Sequence, residues 1–331
     1  MIDAGNIWAV IPVAGSGTRL RPHTHTRPKP LLHVAGRPII GHILDQLVPL
    51  GVKRVVLVIG YMGELIVDYV QARSDFERVE WVEQKELLGL GHAIAQTKLV
   101  VGADPMLMVY GDTVFRADLA QELSVKGDGL LGVKKVEDPR RFGVVVTEGD
   151  KVVKLVEKPE EFVSDQAIVG VNLIRESAQL FACLDDLIKR DVRLRGEFQL
   201  TDALQLMVEQ GANLSTFPVG GWFDCGTQEA MLETNRDLLR DSPAPTHCTN
   251  TVVVPPVHID PTAEVRDSVV GPYVSIGAGA IVQHTIVRNA IIGEQAEVKA
   301  ALIEDSLIGF QAVLKGRWNH LNIGDMSEIT T

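Results

Sequence analysis

The strongest constraint in this chain of 331 residues is a short repeat towards its C-terminus. From Ile259 onward an aliphatic residue recurs every five or six positions: Ile259, Val265, Val270, Ile276, Val282, Val287, Ile292, Val298, Ile303, Ile308 and Leu314. Small residues and glycine follow many of them, as in Ile276-Gly277-Ala278-Gly279-Ala280-Ile281. A β-sandwich would alternate at period two with longer turns. The observed period predicts short strands stacked as coils of a parallel β-solenoid, each coil burying its aliphatics against the next.

No such repeat precedes Ser242-Pro243-Ala244-Pro245-Thr246, which reads as a linker. The earlier two-thirds of the chain alternates strand-like and helix-like segments. Trp8 to Ala14, Arg54 to Ile59, Val79 to Glu83 and Met106 to Tyr110 read as strands. Pro38 to Leu50, Gly63 to Gln71 and Gly91 to Leu99 read as helices between them. Later strands are expected at Leu130 to Lys134, Val144 to Thr147, Val152 to Glu157 and Ala167 to Ile174. Later helices are expected at Ser177 to Lys189, Gln199 to Gln210 and Glu229 to Leu239. This rhythm predicts an α/β fold, a Rossmann-like, mostly parallel sheet with helices on both faces. The expected division is an α/β domain over 1–241, a linker over 242–250 and a repeat domain with a tail over 251–331.

A formal net charge of -11 argues against a general nucleic-acid binder. The segment at the N-terminus lacks a basic start followed by an apolar run, and the apolar stretches are too short to span a bilayer. Cys183, Cys225 and Cys248 are widely spaced and form no Cys-x-x-Cys motif, so neither a disulfide framework nor a zinc site is expected. A cytoplasmic protein with no membrane and no nucleic-acid partner is the expectation.

Gly15-Ser16-Gly17-Thr18-Arg19-Leu20-Arg21-Pro22 follows the first strand. Glycines there let backbone N–H groups approach an anion. The loop is not a Walker A motif, since no Gly-Lys-Ser/Thr follows, and position 20 is Leu, which breaks the dinucleotide fingerprint. Between Asp3 and Asp45 there is no acidic residue, while Arg19, Arg21, Arg27, Lys29 and Arg37 are all present. In an acidic chain so one-sided a patch points to phosphate, which arginine clamps and lysine neutralises. His23 and His25 have no third ligand nearby and read as a solvated loop rather than a metal pair. His92 reads as structural, and Cys225 has no visible base to make it a nucleophile.

The loop, with Thr24 and Pro28-Lys29-Pro30-Leu31, resembles the signature of the sugar-1-phosphate nucleotidyltransferase family. The likeness continues through Gly89-Leu90-Gly91-His92-Ala93, Gly111-Asp112, Glu157-Lys158-Pro159, Gly196-Glu197-Phe198-Gln199-Leu200-Thr201-Asp202 and Asp224-Cys225-Gly226-Thr227. The tail Ile323-Gly324-Asp325-Met326-Ser327-Glu328 is similar to the end of long-form glucose-1-phosphate thymidylyltransferases. The resemblance implies that the C-terminal repeat is a left-handed parallel β-helix of hexapeptide type. It implies transfer of a nucleotidyl group from a nucleoside triphosphate, dTTP or UTP, to a hexose 1-phosphate, with dTDP-glucose and pyrophosphate as the expected products.

By the same resemblance, Arg19, Lys29, Asp112, Lys158 and Asp224 form the catalytic set. Gly15, Ser16, Gly17, Thr18, Arg19, Gln84, Gly89 and Asp112 hold the nucleotide. Gly143, Glu157, Lys158 and Asn172 hold the sugar phosphate, and Asp112 and Asp224 hold Mg²⁺, an oxygen-seeking ion. Taken alone, each aspartate could equally be a turn or N-cap residue, Gln84 an exposed loop amide and Glu157-Lys158 a surface pair.

Two features point elsewhere. Ile11-Pro12-Val13-Ala14-Gly15 and the segment from Gly89 to Ala93 resemble bacterial UTP–glucose-1-phosphate uridylyltransferases, and Thr113 replaces the Asn common in thymidylyl enzymes. Mannose-1-phosphate guanylyltransferases share the Pro-Lys-Pro-Leu run and a solenoid. A bifunctional enzyme with an acetyltransferase solenoid lacks a visible acyl-acceptor site here. A non-catalytic regulatory subunit would have no need of the full charged set. The solenoid suggests a homo-oligomer through its exposed edges and stacked faces.

Overall fold

A computed structural model of the chain describes residues 4–117, 119–122, 124–240, 242, 248–316 and 322–329. Of the expected linker, residues 243–247 lie outside the described residues, as do 317–321 and 330–331 of the expected repeat domain and tail. The chain divides into two units. One comprises Met1–Gly15 and Ile43–Trp222, the other Ser16–His42 and Phe223–Thr331.

In the first unit the described residues contain β1 (Trp8–Pro12), β2 (Arg54–Ile59), β3 (Arg78–Glu83), β4 (Met106–Val109), β5 (Gly129–Lys135), β6 (Gly143–Glu148), β7 (Lys151–Glu157), β8 (Gln166–Ile174) and β9 (Leu214–Pro218). They form one nine-stranded sheet in the order β3-β2-β1-β4-β8-β5-β9-β7-β6. β1 pairs in parallel with β2 and β4, and β2 with β3. β8 then enters antiparallel to β4 and β5, while β9 lies parallel to β5. Only two residues separate β6 from β7, a connection that permits an antiparallel hairpin and no parallel crossover. The parallel core is as expected, and the far side of the sheet is mixed.

Helices cover both faces of this sheet. Helix α1 (Ile39–Leu47) enters the unit at Ile43, and α2 (Gly63–Gln71), α3 (Leu90–Ala95), α4 (Ser177–Lys189) and α5 (Leu200–Glu209) follow. The spacing of Leu180, Phe181, Cys183, Leu184 and Leu187 places all five on one stripe of α4, and all are buried with Leu200, Ala203, Leu204 and Met207 of α5. Trp8, Val10, Met106 and Met108 join the same core from the sheet. Full burial of each such side chain contributes on the order of 2 kcal/mol.

In the second unit, helix α6 (Gln228–Leu239) is capped by Thr227, whose hydroxyl accepts from the Ala230 N–H at 3.2 Å. Beyond it the chain forms the expected parallel β-helix. Val257–Ile259 pairs with Val274–Ile276, which pairs with Ala290–Ile292, then with Ser306–Ile308. Partners lie 16 or 17 residues apart, so one coil takes about three of the sequence repeats. All eleven aliphatics that define the repeat are buried in one core.

Candidate active site

The carboxyl end of β4 leads directly into Gly111-Asp112. β8 pairs with β4 only from Val171 onward, so its residues 166–170 run past that end. Ala167 of β8 pairs with Val144 of β6, which brings Gly143 and, across the hairpin, Glu157 to the same end. In open α/β sheets this is the edge at which ligands bind.

Glu157 and Lys158 are not a surface decoration. The Glu157 side chain is 10% exposed, and its Oε1 lies 3.3 Å from Lys158 Nζ. Its other oxygen accepts from the Thr201 hydroxyl at 2.7 Å. Lys158 sits in the left-handed backbone region, at φ 45°, with its N–H donating to Phe142 O at 2.9 Å. A strained non-glycine residue of this kind is held only where its surroundings over-determine it. A Cβ added to Gly143 would lie 2.5 Å from Thr201 Oγ1 and 2.8 Å from Glu157 Oε2, so backbone and side chains meet closely here.

Asn172, in the middle of β8, is fully buried. Its amide donates to Val169 O at 3.3 Å, and its Oδ1 has no hydrogen-bond partner among the described residues. Tyr110 lies beside this group: burial, with the charges of Glu157 and then Asp112, pushes its phenol well above the ordinary value. Burial, with Glu157 adding, likewise raises the Asp202 carboxyl. The Trp222 ring packs edge-on against Phe142 at 5.1 Å, and its N–H is buried without a partner among the described residues.

Gln84 is buried rather than an exposed loop residue. Its side-chain nitrogen lies 3.1 Å from Gly89 O and 3.1 Å from His92 Nδ1, which fixes the amide against the glycine loop. His92 is therefore structural, as expected. Its pKa is lowered, first by burial.

The cationic residues of the signature loop lie in the second unit with Asp224; Gly15 is the last residue of the first before the chain crosses over. Ser16 is half-buried, and Thr18 and Arg19 are exposed. Gly17 has φ 61°, and a Cβ there would meet Thr24 Cγ2 at 2.9 Å and Lys29 Cβ at 3.1 Å. Only glycine fits both the backbone and the space. The Thr24 hydroxyl closes the turn by donating to Gly17 O at 2.9 Å. Lys29 is buried among these residues, and its Nζ lies 3.7 Å from Asp224 Oδ1. A probe at the Cβ position of Gly226 finds Asp224 Oδ1 at 2.9 Å and an Arg19 guanidinium nitrogen at 3.2 Å. Arg19, Lys29 and Asp224 thus converge.

Asp112 and Asp224 fall in different units. Each carboxylate by itself offers hard oxygen donors. Among the described residues no cluster of three or more His, Cys, Asp or Glu is disposed to hold a metal by itself. His23 departs from the solvated loop expected: it is 4% exposed, with Nε2 hydrogen-bonded to Asn322. Burial holds its pKa below the ordinary value. Cys225 is buried against Thr234. Thr201 lies within the family-like motif from Gly196 to Asp202, but the sequence gives it no role; Tyr110 and Trp222 carry no sequence signal, and the packing reveals all three.

A family model for the nucleotidyl transferases matches residues 8–241. The chain belongs to the nucleotidyl transferase family. Among relatives of this nucleotidyl transferase, a bifunctional protein GlmU of Methanococcus vannielii is 34% identical over 240 residues, covering 70% of this chain and 55% of that protein. The chain thus spans about half the length of that relative. A glucose-1-phosphate thymidylyltransferase of Streptomyces griseus is 33% identical over 292 residues, covering 84% of this chain and 80% of its own. A Bacillus anthracis crystal structure, described as a glucose-1-phosphate thymidylyltransferase in complex with sucrose, superposes with a TM-score of 0.62 at 26% identity, over 72% of this chain and 98% of that one. Among the described residues no helix is long and apolar enough to cross a membrane.

Proposed function

We propose that this nucleotidyl transferase joins a nucleoside triphosphate to a hexose 1-phosphate, with dTTP and glucose 1-phosphate as the substrates, giving dTDP-glucose and pyrophosphate. The observation that carries this reading is the convergence of Arg19, from the glycine-rich loop, and buried Lys29 on Asp224, in a chain that the nucleotidyl transferase family model matches. The Streptomyces griseus relative, matched through part of the C-terminal repeat as well, supports the choice of base and sugar.

The sugar phosphate is itself an adequate nucleophile, so no covalent enzyme intermediate is required. Its oxygen attacks the α-phosphorus in line and pyrophosphate departs. The protein's part is positioning and charge neutralisation. Arg19 and the N–H groups of Gly15, Ser16, Gly17 and Thr18 receive the departing pyrophosphate. Lys29 stabilises phosphate charge, and Lys158 holds the phosphate of the sugar. Glu157 accepts from a sugar hydroxyl while Thr201 fixes its second oxygen; Gly143 and Asn172 line the same pocket. Gln84 and Gly89 meet the base, an edge that an amide reads by donating and accepting. Asp112 and Asp224 would hold Mg²⁺, which when bound neutralises phosphate charge. The protein acts in the cytoplasm as a homo-oligomer, with 1–241 as its catalytic domain and the β-helix of 251–331 serving assembly or regulation.

Pyrophosphate release with Mg²⁺, either glucose 1-phosphate or mannose 1-phosphate, and each of dTTP, UTP, GTP, CTP and ATP tests the reading. A rate highest with dTTP supports it. A rate highest with UTP moves it to uridylyl transfer, the reading that Ile11-Pro12-Val13-Ala14-Gly15 favours. A rate highest with GTP and mannose 1-phosphate moves it to guanylyl transfer. Silence with every pair sinks it.

A further inference from the structure

The signature loop rests on the β-helix. Residues 16–42 belong to the same unit as 223–331, and three successive contacts fix the loop's far side. His23 is hydrogen-bonded to Asn322, and the Thr26 hydroxyl to Asp325. Arg27 Nη1 donates to Glu294 Oε2 at 2.8 Å, while the guanidinium lies over the Phe310 ring, 4.0 Å from its centroid. Glu294 also lies 3.7 Å from His33 Nε2. Arg27 and Glu294 are about a quarter exposed, so solvent screens this pair less than a surface ion pair. Cation–π contact with Phe310 adds a directional restraint.

The segment between Arg27 and Lys29 transmits that restraint. Pro28 and Pro30 flank Lys29 and fix their own φ angles, and each restricts the residue before it. The turn is closed by Leu31 N–H to Pro28 O at 2.9 Å and Leu32 N–H to Lys29 O at 3.0 Å. Lys29 in turn lies close against Gly17, where an added Cβ would meet the Lys29 Cβ at 3.1 Å. A shift of the Arg27 backbone therefore meets few free torsions before it reaches Lys29.

We infer that Glu294 and Phe310 of the β-helix, acting through Arg27, set the position of Lys29 and so make the β-helix a positioning part of the catalytic apparatus. Neither residue touches the reacting groups; both are positioning residues. This rests on the role proposed above for Lys29, but the anchoring of the loop can be read without any turnover.

The test uses the full chain and two readouts. Hydrogen–deuterium exchange over residues 16–34 reads the anchoring; kcat and KM for dTTP and glucose 1-phosphate read its consequence. Arg27→Ala and Glu294→Ala should each speed exchange in that segment and lower kcat about tenfold or more, since small misplacement of a positioned group is costly. The double variant should lose no more than Arg27→Ala alone, because Arg27→Ala already removes the Glu294 contact together with the Phe310 one. Glu294→Gln, which keeps an acceptor for Arg27, should recover most of the loss. Arg288→Ala, which removes the exposed pair with Glu304 elsewhere on the β-helix, should leave the rate unchanged. Wild-type exchange in Glu294→Ala, losses that multiply in the double variant, no recovery in Glu294→Gln, or an equal loss in Arg288→Ala would each overturn the inference. An inactive wild type would instead remove the proposed function, with loop exchange still deciding the anchoring.

Discussion

Thr201, on the first turn of α5, donates its hydroxyl hydrogen to Glu157, the last residue of β7, across 2.7 Å. This ties a helix to the strand end that carries the proposed sugar contact. Thr201→Val keeps the shape and removes the donor. A hydrogen bond to a charged group is worth about 1.5–3 kcal/mol, so KM for the sugar phosphate should rise by roughly tenfold or more, with KM for the nucleotide little changed. Steady-state kinetics with each substrate varied in turn checks this. Equal rises in both KM values would mean that Glu157 does not act on the sugar.

Asn235 of α6 is fully buried and serves three partners. Its Oδ1 accepts from Ala35 N–H at 3.0 Å and from Ser275 Oγ at 2.6 Å, and its amide donates to Tyr273 O at 3.1 Å. Asn235→Ala leaves all three without it. An orphaned buried group costs about 1–3 kcal/mol; Ser275 is buried and Ala35 and Tyr273 are half-buried, so the variant should lose about 2–3 kcal/mol. Chemical denaturation reads the loss directly, and a change below about 1 kcal/mol would mean that water replaces the amide.

Much of this fold is legible in the sequence because burial leaves a period. The eleven aliphatics of the repeat all enter one core, and the predicted segments Arg54–Ile59, Gly63–Gln71 and Ser177–Lys189 recur with the same bounds. β9 has no counterpart among the strands expected from the sequence. Leu214-Ser215-Thr216-Phe217-Pro218 carries little local signal, and its place beside β5 is set by pairing with residues far away in sequence. The antiparallel side of the sheet escaped for the same reason, since direction is decided by long-range contact. At the candidate site, motif residues such as Asp112 and Lys29 could be given roles, whereas Thr201 stands in a motif without one and Tyr110 in none. Their relevance lies in the company they keep around Glu157.

Acid should weaken the fold before its carboxylates titrate. His23 and His33 both have pKa values lowered mainly by burial, so the native state favours the neutral rings. The unfolded chain binds protons near its ordinary histidine pKa of about 6.5, before the folded protein does. Stability contributed this way is full above that value and is lost as pH falls through it. Melting temperature should drop between about pH 7 and pH 5.5, and less steeply in His23→Gln. An identical slope in that variant would remove His23 from the explanation.

The most direct measurement is pyrophosphate release from dTTP and glucose 1-phosphate in Mg²⁺, with wild type and Asp112→Asn side by side and NDP-sugar quantified by mass. Nucleotidyl transfer through Asp112 predicts pyrophosphate and NDP-glucose in equal amounts from the wild type. It also predicts a loss of about a hundredfold or more in the variant, at an unchanged melting temperature. A near-normal rate in Asp112→Asn would contradict the metal assignment. Failure of the wild type to form NDP-sugar from any nucleoside triphosphate and hexose 1-phosphate would contradict the function itself.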